Sequence, residues 1–180
     1  MLKCIGGACA VALLCGAFMT LTGCGEGNAM GLLGKNEYVV GKDIAAADIK
    51  DFYYTLSSSA NPPEFQRYRF INKDGKHSFY HETREGNVWP LTEKHITISG
   101  TVKLTENQWK KFFDCVKNGK VTKRVDDAKS GGKGPWLFLY WTKDKGSYQV
   151  FDFASFDQRQ GFEKLCVELK KKDTSASVKK

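Results

Sequence analysis

His77, His81 and His95 are the only imidazoles in a chain of 180 residues, which makes them the first candidates for metal or acid–base chemistry. On a helix, positions 77 and 81 would share a face and could grip one ion. The turn signal Asp74-Gly75 and the alternation around it predict a strand instead, on which four residues span about 13 Å. Zinc needs each nitrogen at roughly 2.0–2.1 Å, so these two side chains cannot share one ion. No metal and no other cofactor is expected. For His81 the expectation is a ring stacked on Tyr68, its cross-strand neighbour.

Cysteine is the next reactive type. Cys4, Cys9, Cys15 and Cys24 all fall in the opening segment, leaving Cys115 and Cys166 on two separate predicted helices. A disulfide between them requires Cα atoms within about 7 Å. Cys166 sits centrally in its apolar stripe and Cys115 at the edge of its own, so two separate thiols are expected rather than a bond. Neither is spaced with a histidine as a nucleophile would need. Ser57-Ser58-Ser59 lacks a GxSxG elbow, and GGKG at 131–134 lacks the Lys-Ser/Thr ending of a phosphate loop. Glu82, Glu85 and Glu93 show no pairing that would fix a glycosidase-like separation. No catalytic residue is assigned; the alternative is a hydrolase assembled from scattered residues such as His81, Glu82 and Glu93.

Stepping outward, the elements that would position these groups are legible as alternations and stripes. Asp43 could cap a short helix over 44–49, followed by a strand at Phe52–Leu56. Ser57–Pro63 reads as a loop. The Asp74-Gly75 hairpin sets Lys73 against Lys76 and continues Asn72/His77, Phe70/Phe79 and Tyr68/His81 on one face, the expected core side. Arg69/Tyr80 and Arg67/Glu82 occupy the other, which an Arg–Glu pair marks as solvated. A strand runs from Ile96 to Leu104. Thr105-Glu106-Asn107-Gln108 has capping-box form, and Trp109, Phe112, Phe113 and Val116 follow at helical spacing. Ser155-Phe156-Asp157-Gln158 repeats that form before Phe162, Leu165, Cys166 and Leu169.

Between the two helices lies a second hairpin, Trp136–Thr142 and Ser147–Phe153, turned at Asp144-Lys145-Gly146. Leu137, Leu139, Trp141, Phe151 and Phe153 face one way, and Phe138, Tyr140, Tyr148 and Val150 the other. The second set is expected to lie beneath residues 36–56. If it is exposed, Phe138, Tyr140 and Tyr148 form a ligand or partner surface. Apolar helix stripes need a sheet face to cover, so the fold class is α+β: a mostly antiparallel sheet with two amphipathic helices packed on it as a two-layer sandwich.

Residues 4–23, CIGGACAVALLCGAFMTLTG, carry no charge and follow a single lysine, the pattern of a signal peptide. Leu21, Thr22, Gly23 and Cys24 then fill all four places of a pattern that resembles the bacterial lipobox. The resemblance implies that Cys24 receives a diacylglyceryl thioether and begins the mature chain. Two acyl chains, at about 0.8 kcal/mol per buried CH₂, hold a protein at a bilayer where one is marginal. The folded body also resembles an uncharacterised family of small bacterial lipoproteins through FYYTLSSSANPPEFQRYRF, HETREGNVWPLTE and GPWLFLYW, over most of residues 50–170. That likeness implies the fold class and the location, and no activity.

The expected organisation is a leader at 1–23, a glycine-rich tether at 24–36, one α+β domain at 37–172 and a disordered basic tail at 173–180. The net charge of +8 becomes a surplus of about seven after removal of the leader. The expected location is the extracytoplasmic face of a cell membrane. The expected role is a non-catalytic binding or interaction module, with an envelope protein, a cell-wall polymer or a small ligand as partner. Stacking of bases on Phe138 and Tyr140 is chemically available, but outside the membrane no nucleic acid is expected.

Overall fold

The computed structural model describes residues 37–124, 135–142, 148–174 and 177–178. The leader and tether with Cys24, the GGKG stretch and the Asp144–Gly146 turn lie outside the described residues. The chain runs β1 (Glu37–Val39), β2 (Ile49–Ser58), β3 (Glu64–Lys73), β4 (Lys76–Arg84), β5 (Ile96–Lys103), α1 (Glu106–Val116), β6 (Lys120–Thr122), β7 (Trp136–Trp141), β8 (Gln149–Asp152), α2 (Phe156–Lys171) and β9 (Ser177–Val178). These strands form one sheet in the order β1-β6-β8-β7-β2-β3-β4-β5-β9, every neighbouring pair antiparallel. The fold is α+β, as the alternation and stripes predict.

The β3–β4 hairpin closes where the turn residues require it. Asp74 and Gly75 take φ of 53° and 77°, and the Asn72 side chain accepts from the Gly75 amide at 3.0 Å. That turn sets the register Tyr68↔His81, Phe70↔Phe79 and Arg67↔Glu82. Because side chains alternate, one register fixes which residues share a face across the whole sheet.

Both helices cover the same face. Trp109, Phe112 and Val116 of α1 and Phe162, Leu165, Cys166 and Leu169 of α2 are buried with Phe52, Tyr54, Phe70 and Phe79 of the sheet. Phe70 stacks on Phe112 at 4.2 Å, and Phe52 meets Phe162 edge-on at 5.3 Å. Thr105 and Gln108 complete a reciprocal cap on α1. The second expected box is only half made. Ser155 accepts from the Gln158 amide at 3.2 Å, but the Gln158 side chain donates to the Lys117 carbonyl at 2.9 Å. The end of α1 lies within its reach, and a helix end needs donors for its last carbonyls.

Residues 44–49 do not form the expected helix. Gly41 has φ of 88°, Val40 bridges Ile44, and the Asp43 carboxylate accepts from the Val39 amide at 2.8 Å. Six residues are too few to recover the cost of helix nucleation when a turn satisfies the same groups. The second hairpin is not buried beneath residues 36–56 either. β2 lies beside β7 as its hydrogen-bonded neighbour, so the two strands share faces rather than layers.

Candidate functional site

His81 reaches a partner that the strand pattern did not indicate. Its Nε2 lies 2.9 Å from Oδ2 of Asp173, just past the end of α2, and the two side chains are 0% and 2% exposed. Tyr68 stacks on Phe79 rather than on His81, so the expected His81–Tyr68 stack is corrected. Asp173 belongs to the packed body and not to a free tail, and β9 pairs with β5 beyond it. Gly100, opposite His81 on β5, makes this meeting feasible, because a Cβ there would overlap the Asp173 carboxylate.

This pair has the groups of a catalytic dyad but no reacting partner among the described residues. Its ring is sealed, and its Nδ1 has no hydrogen-bond partner among the described residues. Glu82 follows His81 on β4 and therefore projects from the opposite face, while Glu93 is exposed in a short turn. The residues of the hydrolase alternative do not converge. His77 stacks on Trp109 at 4.2 Å, and His95 Nδ1 accepts from the Thr92 amide at 2.9 Å. Both are structural positions. No group of three metal-ligating side chains is found among the described residues.

Burial lowers the His81 pKa from its ordinary value, against the opposing pull of the Asp173 bond. The unfolded ring takes up a proton below about pH 6.5, the folded ring only at lower pH. The fold therefore keeps its full stability above about pH 6.5 and loses it as pH falls. We expect the urea midpoint to drop between pH 7.5 and pH 5, and the His81 resonances to titrate below pH 6.5 in NMR spectra. A His81 titration above that value contradicts the assignment.

Cys115 and Cys166 are both free thiols on the helix-covered side. Burial raises both, Cys166 well above the usual range with Cys115 and Glu163 adding to it, so neither is an activated nucleophile.

Among the described residues the opposite face of the sheet carries no helix. Its inner rows are set by register: Phe138↔Tyr53↔Arg69↔Tyr80 in one, and Trp136↔Thr55↔Arg67↔Glu82 beside it. A bare sheet face still has to shield its backbone, and here rings and guanidinium groups do so. Arg69 lies over the Tyr53 ring at 4.4 Å, Arg84 over Phe65 at 4.1 Å and Arg124 over Phe138 at 5.0 Å.

Two carboxylates sit beneath this cover. Glu82 is 3% exposed and accepts from Arg84 at 2.6 and 3.0 Å and from the Tyr80 hydroxyl at 2.5 Å, with Arg67 at 3.4 Å. Asp51 is 5% exposed, pairs with Arg69 and accepts from the Tyr148 hydroxyl at 2.9 Å. The expected solvated Arg67–Glu82 pair is therefore a buried cluster at its acidic end. Burial first, then Glu82, pushes the Tyr80 hydroxyl up to about 12, and burial with Asp51 raises Tyr148. Burial works against Arg69, but the Asp51 bond and charge carry its pKa upward.

Phe138, Tyr140 and Tyr148 all lie on this helix-free face and are half-buried. Tyr140 and Tyr148 meet at 5.6 Å, and Tyr148 meets Tyr53 edge-on at 5.1 Å. Sequence pattern brought these three together. It missed Tyr53, Tyr80, Arg69 and Asp51, although the Arg67/Glu82 and Arg69/Tyr80 register already pointed to one continuous face. A second feature is an open depression of about 760 Å³ at the end of β2 to β4, lined by Leu56, Pro62, Pro63, Phe65, Arg84 and Glu85. Arg84 is already committed there to Glu82 and to the Leu91 carbonyl at 3.0 Å.

No family model, curated protein or solved structure matches this chain. Among the described residues no helix is long and apolar enough to cross a membrane.

Proposed function

We propose that the protein is a lipid-anchored extracytoplasmic binding module that performs no catalysis and presents the helix-free face of its sheet to a partner. Cys24 carries the acyl chains, and residues 24–36 link it to the domain. The observation that carries this reading is the preorganised face. Asp51 and Glu82 are buried and already paired, so the rings and guanidinium groups above them are held in place before any ligand arrives. Half-buried Phe138, Tyr140 and Tyr148 add contact area at low cost in side-chain entropy. The partner is an envelope protein, a cell-wall polymer or a small ligand. His81 and Glu82 of the hydrolase alternative fall on opposite faces and Glu93 lies in an exposed turn, which favours binding.

Two experiments test this. Cys24→Ala is expected to abolish incorporation of labelled palmitate and partition into detergent; unchanged labelling refutes lipidation at this residue. Phe138→Ala combined with Tyr140→Ala is expected to reduce retention of envelope material at least about fivefold with an unchanged circular dichroism spectrum. Equal retention by that variant removes the face from the binding role.

A further inference from the structure

We infer that the helix-free face binds a glycan chain bearing carboxylates, a uronate-type polymer lying across the strands; this rests on the binding role of that face proposed above. The first observation is extent. Val150, Phe138, Tyr53, Arg69, Tyr80 and Thr101 are register neighbours from β8 to β5. Five steps at about 4.8 Å give a row about 24 Å long, which suits an extended chain rather than a compact ligand.

The second observation is the kind of contact this row offers. The row sets Phe138 and Tyr53 beside the Arg69 guanidinium, followed by Tyr80 and Thr101, and the neighbouring rows add Ser78 and Ser99. The C–H face of a sugar ring packs on an aromatic plane, and its hydroxyl groups need donors and acceptors around that plane. The large apolar side chains that stand exposed among the described residues are Leu56, Val88, Trp89, Phe156 and Val167, and none is on this row.

The third observation is charge. Lys73 faces Lys76 directly across the hairpin, and Lys103 pairs with Ser78 one step along the same face. All three are exposed and have no ion-pair partner among the described residues. Like charges opposite one another on a sheet are destabilising. The acidic residues further in, Asp51 and Glu82, are neutralised by Arg69, Arg67 and Arg84 and do not repel an anion. The face thus presents unpaired positive charge at one corner of a ring-and-hydroxyl row. A carboxylated glycan supplies both complements, with its carboxylates on the ammonium groups and its sugar rings on Tyr80 and on the side of Phe138 that Arg124 does not cover.

The test uses the full-length protein in detergent micelles, with polygalacturonate as the probe and titration calorimetry as the readout. Binding is expected, and it should weaken about tenfold on full methyl esterification of the polymer and on raising the salt concentration. Lys73→Gln with Lys103→Gln should weaken it about tenfold, and Phe138→Ala likewise, whereas Lys110→Gln on α1 should not. Equal binding of polyglutamate or polyphosphate, or tighter binding of polyadenylate, overturns the glycan assignment. So does equal binding of the esterified polymer, or no binding at all. If envelope material or the neutral polymer is still retained in a Phe138-dependent way, the face keeps its binding role and only the acidic-glycan assignment falls. If no retention depends on Phe138, Lys73 or Lys103, both fall.

Discussion

Gly100→Ala is expected to cost the fold about 1–3 kcal/mol, the penalty for leaving a buried polar group without its partner. Nothing about Gly100 itself requires this, since its backbone is ordinary strand. The cost comes from what passes over it. An added Cβ would occupy the position of the Asp173 carboxylate and lie 3.0 Å from His81 Nε2. The carboxylate would have to leave a site in which it is 2% exposed and His81 fully buried, and His81 would keep two unpartnered nitrogens in a dry core. The effect is conditional, which makes it a sharp test. In an Asp173→Ala background only His81 Nε2, 3.0 Å away, still borders the added Cβ, and Gly100→Ala should then change stability by less than about 1 kcal/mol. Urea unfolding of the four variants measures the coupling. Additive effects, or a single Gly100→Ala variant as stable as the parent, would show that the carboxylate does not occupy that site.

The second large effect is expected at Glu82. Replacing it with alanine leaves Arg84, 7% exposed, without the carboxylate that accepts two of its bonds, and removes the partner of Arg67 and Tyr80. An uncompensated buried guanidinium costs about 3–5 kcal/mol. The exposed pair Lys110–Asp114, one helical turn apart on α1, provides the contrast, where Asp114→Ala should cost no more than about 0.5 kcal/mol. Denaturant midpoints separate these two cases. Glu82→Gln should recover part of the loss by keeping an acceptor oxygen. If Glu82→Ala costs as little as Asp114→Ala, the cover on the helix-free face is a surface layer with no buried charge beneath it.

These two positions explain why the sheet tolerates one face without helices. Hydrophobic burial is spent on the side where Phe52, Phe70, Phe112 and Phe162 meet. On the other side arginines and tyrosine hydroxyls pair with Asp51 and Glu82, which leaves the two carboxylates 5% and 3% exposed without a helix above them among the described residues. Such a surface keeps polar groups outward and rings in fixed orientation, as a binding face requires.

The sequence by itself determined the fold class, the β3–β4 register, the start of α1 and the apolar stripes of both helices. All of these follow from local chemistry: a two-residue turn that demands positive φ, a cap three residues from its partner, a period of 3.6 or 2. It also separated Phe138, Tyr140 and Tyr148 from the core side of their hairpin, since alternation alone does that. Tertiary structure decided the rest. It set β2 beside β7 instead of above it, because strand order depends on long-range pairing that no local pattern encodes. It brought Asp173 to His81 across 92 positions through the gap at Gly100. It buried Glu82, because the burial of a charged side chain depends on which neighbours arrive to pair with it.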